Sequence, residues 1–337
     1  MTTASELVGI VRGRRLCYEL AQRSDNGDEV RRAMSSLAHR VHEQRGDLGQ
    51  SVSYLFAENA GRSAPQVRAT RSLTAVLSDA ASAMTLRPSD LLAALSDTVT
   101  SAMYWQPPHA EDVVLARTRI RTVLLPIAEV VLGEPSARWW STPLDRNAQI
   151  HTRFEPATVA GPPLGTLSLT GGRWWVTPAL AGLDSTTRAL AEAGSASLWL
   201  TEDEMGWESA NLVACTVEPA ARVLEIDGPD AWASLVATYP LDVTASRAPN
   251  WWGAVDAREG DWLIPDWSAV AADYDGVHVS VQAWLMTSGQ AVAVGTRAST
   301  TLAGWDPDAT WWLTDGPRPA DAGHRWVRND QTWARAS

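Results

Sequence analysis

The stretch Arg222–Tyr239, RVLEIDGPDAWASLVATY, decides the fold class of the second part of this chain. Residues 222–226 are a short β-type run, and Asp227 can then cap a helix. The apolar stripe of that helix consists of Trp232, Leu235, Val236 and Tyr239. A strand followed directly by an amphipathic helix predicts a mixture of α and β structure in this region.

Short β-type runs and amphipathic helical patterns continue on both sides of this stretch. Asp266, after Pro265, can cap a second helix with Trp267, Val270, Ala271 and Tyr274 on one face. Further β-type runs separated by Gly, Pro and Asp lie at 164–170, 174–177, 197–201, 212–218, 277–284, 291–294 and 310–314. We therefore predict that residues 137–337 form an α+β domain with a small, irregular, mainly antiparallel sheet.

Residues 1–136 have a helical pattern instead. Thr3 and Glu6 match a capping box, and the apolar residues that follow recur at intervals of three and four. Further helices are predicted at 48–59, 65–84, 89–104 and 111–132. We predict an all-helical bundle, a scaffold that can also dock a protein partner. His39 and His42 share one helix face, but no cysteine lies near, which favours a solvated or capping role over a metal site.

Charge and aromatic composition divide at the same point. Seventeen of the 18 tryptophans follow residue 137, and so does the whole net charge of −11. The acidic second part argues against a nucleic-acid partner, which needs a basic surface. All 28 basic residues are Arg. Pyridoxal-phosphate enzymes, P-loop proteins and protein kinases need a lysine, so these classes are excluded in their usual form.

Targeting signals and cysteines indicate a cytoplasmic protein. The N-terminal segment places its basic residues after a short apolar patch, the reverse of a signal peptide, and no apolar run is long enough to span a membrane. Two cysteines, Cys17 and Cys215, fall one in each predicted domain, which does not suggest a disulfide framework. The acidic Asp-Pro-Asp and Asp-Gly motifs are typical of turns, so no metal site is evident.

An internal duplication opens the second part. The segment 138–143, RWWSTP, recurs 35 residues later as 173–178, RWWVTP. One interpretation is a strand-and-turn unit that pairs with its copy; the other is a clamp in which Arg and indole groups hold a planar or anionic ligand. Trp251 and Trp252 follow Arg-Ala-Pro-Asn in a segment typical of an exposed loop. The candidate ligand surface comprises Arg173, Trp175, Trp251 and Trp252.

The run 277–282, VHVSVQ, alternates apolar and polar residues. Its polar side, His278, Ser280 and Gln282, either lines a cleft or faces water as a solvated strand surface. In a cleft, His278 would be the best candidate for acid–base catalysis in the chain. Ser280 is not a convincing nucleophile, because no Gly-x-Ser-x-Gly motif surrounds it.

Residues 186–314 contain four short motifs in a recognisable order. They are TTR at 186–188, LWL at 198–200 running into GWE at 206–208, PDW at 265–267 with YDGVH at 274–278, and GWD at 304–306. This series resembles proteins with the ADP-ribosyltransferase fold. The resemblance implies an NAD-binding split sheet in which an Arg on an early strand contacts NAD and a late acidic residue orients the ribose.

Carried over to this chain, the resemblance makes Arg188 the NAD-contacting residue, with Thr187 and Trp199 beside it. A Glu-x-Glu pair on a late strand is missing, and His278 stands where an acidic residue would be expected. Glu208 is the nearest matching acid, so Glu208 and His278 are the candidate catalytic residues.

Two functions remain open, beside a biosynthetic enzyme of the same fold whose substrate the residues do not indicate. The chain is either an NAD- or nucleotide-processing enzyme, a transferase or glycohydrolase with NAD as substrate, or a non-catalytic protein. In the second case an acidic, Trp-rich surface would bind a glycan, another small molecule or a basic partner.

Overall fold

The computed structural model describes residues 2–48, 64–104, 106–155, 174–178, 185–251, 255, 260–314, 316–330 and 332–336. The fold mixes helices with two sheets, which agrees with the predicted α+β class. Arg173, Trp252, the predicted strand at 164–170 and nearly all of the predicted helix at 48–59 lie outside the described residues.

The described residues cluster into two compact units. The first comprises Met1–Trp139, Trp251–Ala257 and Ser288–Gln290, and the second comprises Trp140–Asn250, Arg258–Thr287 and Ala291–Ser337. The division into domains at residues 1–136 and 137–337 stays a prediction.

Helices alone make up the described regular structure before residue 134. They are α1 Ala4–Gly9, α2 Val11–Ala21, α3 Gly27–Leu48, α4 Ala64–Ser82, α5 Pro88–Thr100, α6 Ala110–Leu115 and α7 Thr118–Gly133. The capping box of α1 is present, because the Glu6 amide donates to Thr3 Oγ1 and the Thr3 amide donates to Glu6 Oε2. The predicted helix at 111–132 is instead two helices, α6 and α7, interrupted at residues 116–117.

Two sheets dominate the second unit. The strands are β1 Gln149–Glu155, β2 Ser185–Leu190, β3 Gly194–Ser195, β4 Ser209–Thr216, β5 Val223–Ile226, β6 Pro240–Asp242, β7 Asp261–Pro265, β8 Gly276–Val279, β9 Val292–Val294, β10 Ala298–Thr300, β11 Thr310–Trp312, β12 Arg318–Asn329 and β13 Thr332–Arg335. The larger sheet has the order β13-β12-β4-β1-β2-β11-β8-β5, with β3 paired to β2, and the smaller is β6-β7-β10-β9. Among the described strands only β5–β8 and β7–β10 are parallel. The sheet is therefore mainly antiparallel, as predicted, but not small.

Four further helices follow: α8 Pro229–Thr238, α9 Thr244–Trp251, α10 Trp267–Asp273 and α11 Val281–Thr287. The helix after β5 is confirmed, although its N-cap is Gly228 and not Asp227, because Pro229 occupies the first turn. Asp266 caps α10 as predicted, accepting from the amides of Ser268 and Ala269.

The predicted strand at 277–284 is wrong in its second half. Strand β8 ends at Val279, and α11 begins two residues later. Ser280 causes the change, because its hydroxyl accepts a hydrogen bond of 3.1 Å from the Ala283 amide and so caps the helix. The run at 197–201 is a wrong strand prediction too, since a 3-10 helix occupies Ala196–Leu198, and no strand is assigned at 174–177.

The larger sheet has one apolar and one polar face, because side chains alternate along each strand. Val277, Val279, Ile226, Leu212 and Trp326 are buried on the apolar face. The opposite face carries polar side chains on seven neighbouring strands: Arg325, Asn211, Arg153, Gln149, Arg188, Thr186, Thr310, His278 and Glu225.

Tryptophan fills the core. Ten of the 16 described tryptophans are buried and the other six are half-buried. Trp305 contacts Trp232, Trp267 and Trp311, with ring centroids 5.7–6.3 Å apart. The predicted core roles of Trp232 and Trp267 are confirmed, whereas Trp251, predicted on an exposed loop, is fully buried at the end of α9. Among the described residues, no helix is long and apolar enough to cross a membrane.

Candidate functional site

A row of polar side chains crosses four adjacent strands on the polar face. Thr186 on β2 pairs with Thr310 on β11, which pairs with His278 on β8, which pairs with Glu225 on β5. Directly paired residues project on the same side of a sheet, so these four side chains form one line, which we call the polar row. The first three are buried, whereas the Glu225 side chain is 37% exposed. The row therefore reaches solvent at its Glu225 end.

His278 lies between two carboxylates. Its Nδ1 is 2.6 Å from Glu225 Oε2, and its Nε2 is 3.6 Å from Asp308 Oδ1. Burial by itself lowers the pKa of His278, but the contacts with Asp308 and Glu225 outweigh burial and raise it to about 9. The imidazole is therefore charged at neutral pH and has no free ring nitrogen, so it is suited to hold carboxylates and not to remove a proton.

Arg188, on β2, contacts the same Asp308, which lies just before the neighbouring strand β11. Its Nε is 3.4 Å from Asp308 Oδ1, and its backbone amide donates to Asp308 Oδ2 at 2.8 Å. The guanidinium is 13% exposed and also donates to Thr142 Oγ1 at 2.8 Å and to the Pro143 carbonyl at 3.2 Å. Asp145 Oδ2 lies 3.8 Å from Nη1. The Arg188 charge is thus positioned by both backbone and side-chain partners.

The backbone at Asp308 is left-handed, with φ of 62°. A residue with a side chain adopts this conformation at a cost of about 1 kcal/mol, and Asp tolerates it better than most. Because Asp308 is 1% exposed, its carboxylate is held inside by Arg188 and His278. Strain at a buried charged residue is more typical of a functional site than of a structural turn.

The segment Thr142–Asp145, here called the strap, covers the polar row. Thr142, Pro143 and Asp145 contact Arg188, and the Leu144 amide donates to Glu225 Oε1 at 3.1 Å. The Leu144 side chain is buried against Trp312 and Val217 and so anchors the strap. An anionic ligand that contacts Arg188 would take the place of the Asp145 carboxylate.

Hydroxyl and amide groups extend the row toward β1. Trp312 Nε1 donates to Thr186 Oγ1 at 3.0 Å, and this hydroxyl donates to Gln149 Oε1 at 2.7 Å. Thr310 Oγ1 is buried and makes no hydrogen bond to the described residues. A buried hydroxyl without a partner costs about 1–3 kcal/mol, which a bound ligand or water can recover.

The charged network of Glu225, His278, Asp308 and Arg188 is not needed for stability alone. Replacing a buried ion pair by apolar side chains of similar volume is often neutral or stabilising, so a charged row inside a sheet indicates a further role. Its chemistry is that of an anion contact at Arg188, a carboxylate at Glu225 that reaches solvent, and a fixed positive charge at His278.

The structure brings together Arg188 and His278 but not the other predicted residues. Thr187 is on the opposite face, where its hydroxyl contacts Ser197 Oγ at 2.7 Å. Trp199 packs on the apolar face and donates to the Ala193 carbonyl. Glu208 is exposed and directly precedes Ser209, which pairs with Glu155 at one end of β1. Arg188 pairs with Gln149, which is six residues away at the other end of β1. That separation is about 20 Å.

Of the predicted ligand surface, only Trp175 and Trp251 lie within the described residues, so the surface as a whole stays a prediction. Trp175 is half-buried, and its carbonyl accepts from Arg247 Nη1 at 2.5 Å. Its Cβ also lies only 2.5 Å from where a Cβ on Gly304 would be. Trp251 is fully buried. The reading of His278 as part of a solvated strand face is wrong, because His278 is 1% exposed.

Sequence reasoning missed Glu225 and Asp308. Asp308 was attributed to turn chemistry, and it does lie in a turn. The available signal for Glu225 was a single acidic residue within the β-type run 222–226, where burial would force it to find a cationic partner.

A second group of acids lies near Gly304. The Glu202 carboxylate accepts from Trp284 Nε1 at 2.7 Å and from the Gly304 amide at 2.6 Å, while the Glu202 amide donates to Asp306 Oδ1 at 2.8 Å. Burial raises the pKa of Asp306, and likewise that of Asp203, to about 7. These contacts join the loop at Glu202 to helix α11 and to the loop at 304–306.

Among the described residues, no group of three or more His, Cys, Asp or Glu side chains is arranged to hold a metal ion. The chain matches no protein-family model, no curated protein and no solved structure.

Proposed function

We propose that the second part of this chain is an NAD- or nucleotide-processing enzyme, similar to ADP-ribosyltransferases, and that the polar row is its site. One observation carries the proposal: Arg188 and His278, 90 residues apart in sequence, contact the same carboxylate. Both were candidates from the sequence, as an anion contact and a catalytic residue.

Each member of the site has a distinct role in this proposal. Arg188 contacts the diphosphate of NAD once the ligand has displaced the Asp145 carboxylate. Glu225 takes the role first assigned to Glu208: it stabilises the positive charge that develops on the ribose as the bond to nicotinamide breaks and the electron pair leaves with nicotinamide. Water or an acceptor hydroxyl then attacks the ribose carbon, and its proton passes to solvent. His278 and Asp308 are positioning residues, because they act through Glu225 and Arg188.

The proposal is tested by incubating the purified protein with NAD and separating free nicotinamide by chromatography. Glu225→Gln should lower the release rate by about 100-fold or more, the scale of losing one preorganised charge. The matched control Glu208→Gln removes an exposed acid about 20 Å from Arg188 and should leave the rate unchanged. The absence of both nicotinamide release and NAD binding in the wild-type protein would refute the enzyme proposal.

A non-catalytic binding protein is the second candidate. The observation in its favour is that the chain itself occupies both ring nitrogens of His278 and surrounds the Arg188 guanidinium. Titration of the indole fluorescence with nucleotides, glycans and basic peptides separates the two candidates. Binding of one class without any release of nicotinamide would support the second.

We also propose that residues 1–136 are an independent helical bundle that docks a protein partner, and that the protein acts in the cytoplasm. Cys17 and Cys215 are both free thiols, which suits a reducing compartment. Expression of residues 1–136 alone tests the bundle: cooperative thermal unfolding is expected, and an unfolded fragment would contradict it.

A further inference from the structure

The polar face of the larger sheet has a second cluster of cationic and amide groups, away from the polar row. Arg153 on β1 and Arg325 on β12 are both direct partners of Asn211 on β4, the strand between them. The three side chains therefore project from the same face at the same level. We call Arg153, Asn211 and Arg325 the sheet-face cluster.

The cluster has one cation on each side of Asn211. Two strand spacings place the Cα atoms of Arg153 and Arg325 about 10 Å apart. Arg153 is exposed, the Arg325 side chain is 63% exposed, and Asn211 is half-buried between them. Beside Asn211 is Gly323, where a Cβ would lie 2.6–2.9 Å from the Asn211 amide group. The absence of a side chain at Gly323 lets this amide lie flat against the sheet.

One cation of the cluster is fixed and the other is free. Arg325 Nη2 donates to Ser209 Oγ at 3.3 Å and lies 3.7 Å from Glu155 Oε2, and Ser209 Oγ donates to the same Glu155 oxygen at 3.2 Å. Within the described part of the chain, the Arg153 guanidinium and the Asn211 amide have no hydrogen-bond partner. Donor groups of Arg153 and of the Asn211 amide are therefore available to a ligand, next to the fixed guanidinium of Arg325.

We propose that the sheet-face cluster binds a small anion that carries a diphosphate group. The Cα atoms of Arg153 and Arg325 are about 10 Å apart, so their guanidinium groups can each bind one of two adjacent phosphates. The Asn211 amide can donate a hydrogen bond to the oxygen between the two phosphates. Even with the Glu155 carboxylate beside Arg325, the two arginines leave a local positive charge on a chain of net charge −11. A long polyanion such as nucleic acid would be repelled by that surrounding charge, which favours a compact ligand.

This site is separate from the proposed NAD site. Arg188 is opposite Gln149, four residues along β1 from Arg153, a distance of about 13 Å. The proposal therefore goes beyond the proposed function and does not depend on it.

Calorimetric titration with pyrophosphate tests the site, using the full-length protein and single variants. Arg153→Gln and Arg325→Gln should each weaken binding by about 10-fold or more. Arg318→Gln is the matched control, because it removes the same charge from β12 at a side chain that is 80% exposed and paired with Glu218. It should leave the affinity within about twofold of the wild type.

Two results would overturn the proposal. One is no detectable binding of pyrophosphate by the wild-type protein at millimolar concentration, and the other is an equal loss in Arg318→Gln, which would indicate diffuse charge attraction. Arg188→Gln separates this site from the NAD site. If pyrophosphate binding survives in Arg188→Gln but is lost in Arg153→Gln, the sheet-face cluster is the site, whatever the outcome of the nicotinamide assay.

Discussion

His278 and Arg188 share one oxygen of Asp308: His278 Nε2 is 3.6 Å and Arg188 Nε is 3.4 Å from Oδ1. Arg188 on β2 and His278 on β8 lie on either side of β11, and two cations in a buried site would repel one another, so the carboxylate between them is what allows both to be there. The left-handed backbone of Asp308 accompanies that placement.

Asp308→Asn should therefore destabilise the protein by about 3 kcal/mol, the cost of leaving buried cations without their partner. It should also lower the pKa of His278, because a neutral amide no longer favours the imidazolium. Urea unfolding and NMR titration of the imidazole measure the two effects. Asp321→Asn, which removes an exposed carboxylate on β12, is the control and should change neither.

The pH dependence of stability should report the charge of His278. Its pKa in the folded protein is about 9, against 6.5 without its partners. The stabilisation is therefore complete below pH 6.5 and is lost as the pH rises to 9, by at most about 3.5 kcal/mol at 1.4 kcal/mol per unit. The free energy of unfolding, measured between pH 6 and pH 9, should fall more steeply for the wild type than for His278→Gln. Equal slopes would mean that the imidazole is neutral.

Asp306 should change the free energy of unfolding in a lower pH range than His278 does. Burial raises its pKa from 3.8 to about 7, so the folded protein keeps a proton that the unfolded chain has lost. Its contribution is therefore present below pH 3.8 and disappears as the pH rises through 7. Asp306→Asn, which retains the oxygen that accepts from the Glu202 amide, should gain about 1–2 kcal/mol relative to wild type between pH 5 and pH 8. Asp261→Asn, at an exposed position, should show no such gain.

Two left-handed glycines provide a matched test of the packing around Trp175. Gly304 and Gly206 have φ of 76° and 72°, but a Cβ on Gly304 would lie 2.5 Å from Trp175 Cβ, whereas one on Gly206 would meet nothing within 4 Å. Gly206→Ala should cost about 1–2 kcal/mol from backbone strain alone. Gly304→Ala should cost at least about 2 kcal/mol more, because the steric clash is added. Thermal unfolding of both variants measures the difference, and equal losses would contradict the contact with Trp175.

Local patterns predicted the local elements well. The apolar stripe after β5 predicted α8, and Asp266 predicted the start of α10, because a helix face and a cap are encoded within a few residues. The strand predicted at 277–284 is wrong from Ser280 onward. A serine at this position can either lie on the polar face of a strand or cap a helix, and sequence spacing does not distinguish the two.

The sequence by itself determined the α+β class, the helical character of the described residues before 134 and the candidacy of Arg188 and His278. Tertiary structure decided the rest of the site. Formation of β2 as a strand placed the adjacent Thr187 and Arg188 on opposite faces, and sheet register moved Glu208 away from the row. Chain folding brought Asp308 and Glu225 to His278 from distant positions. Burial of tryptophan and pairing of charges depend on such long-range contacts, which the order of residues in one segment does not contain.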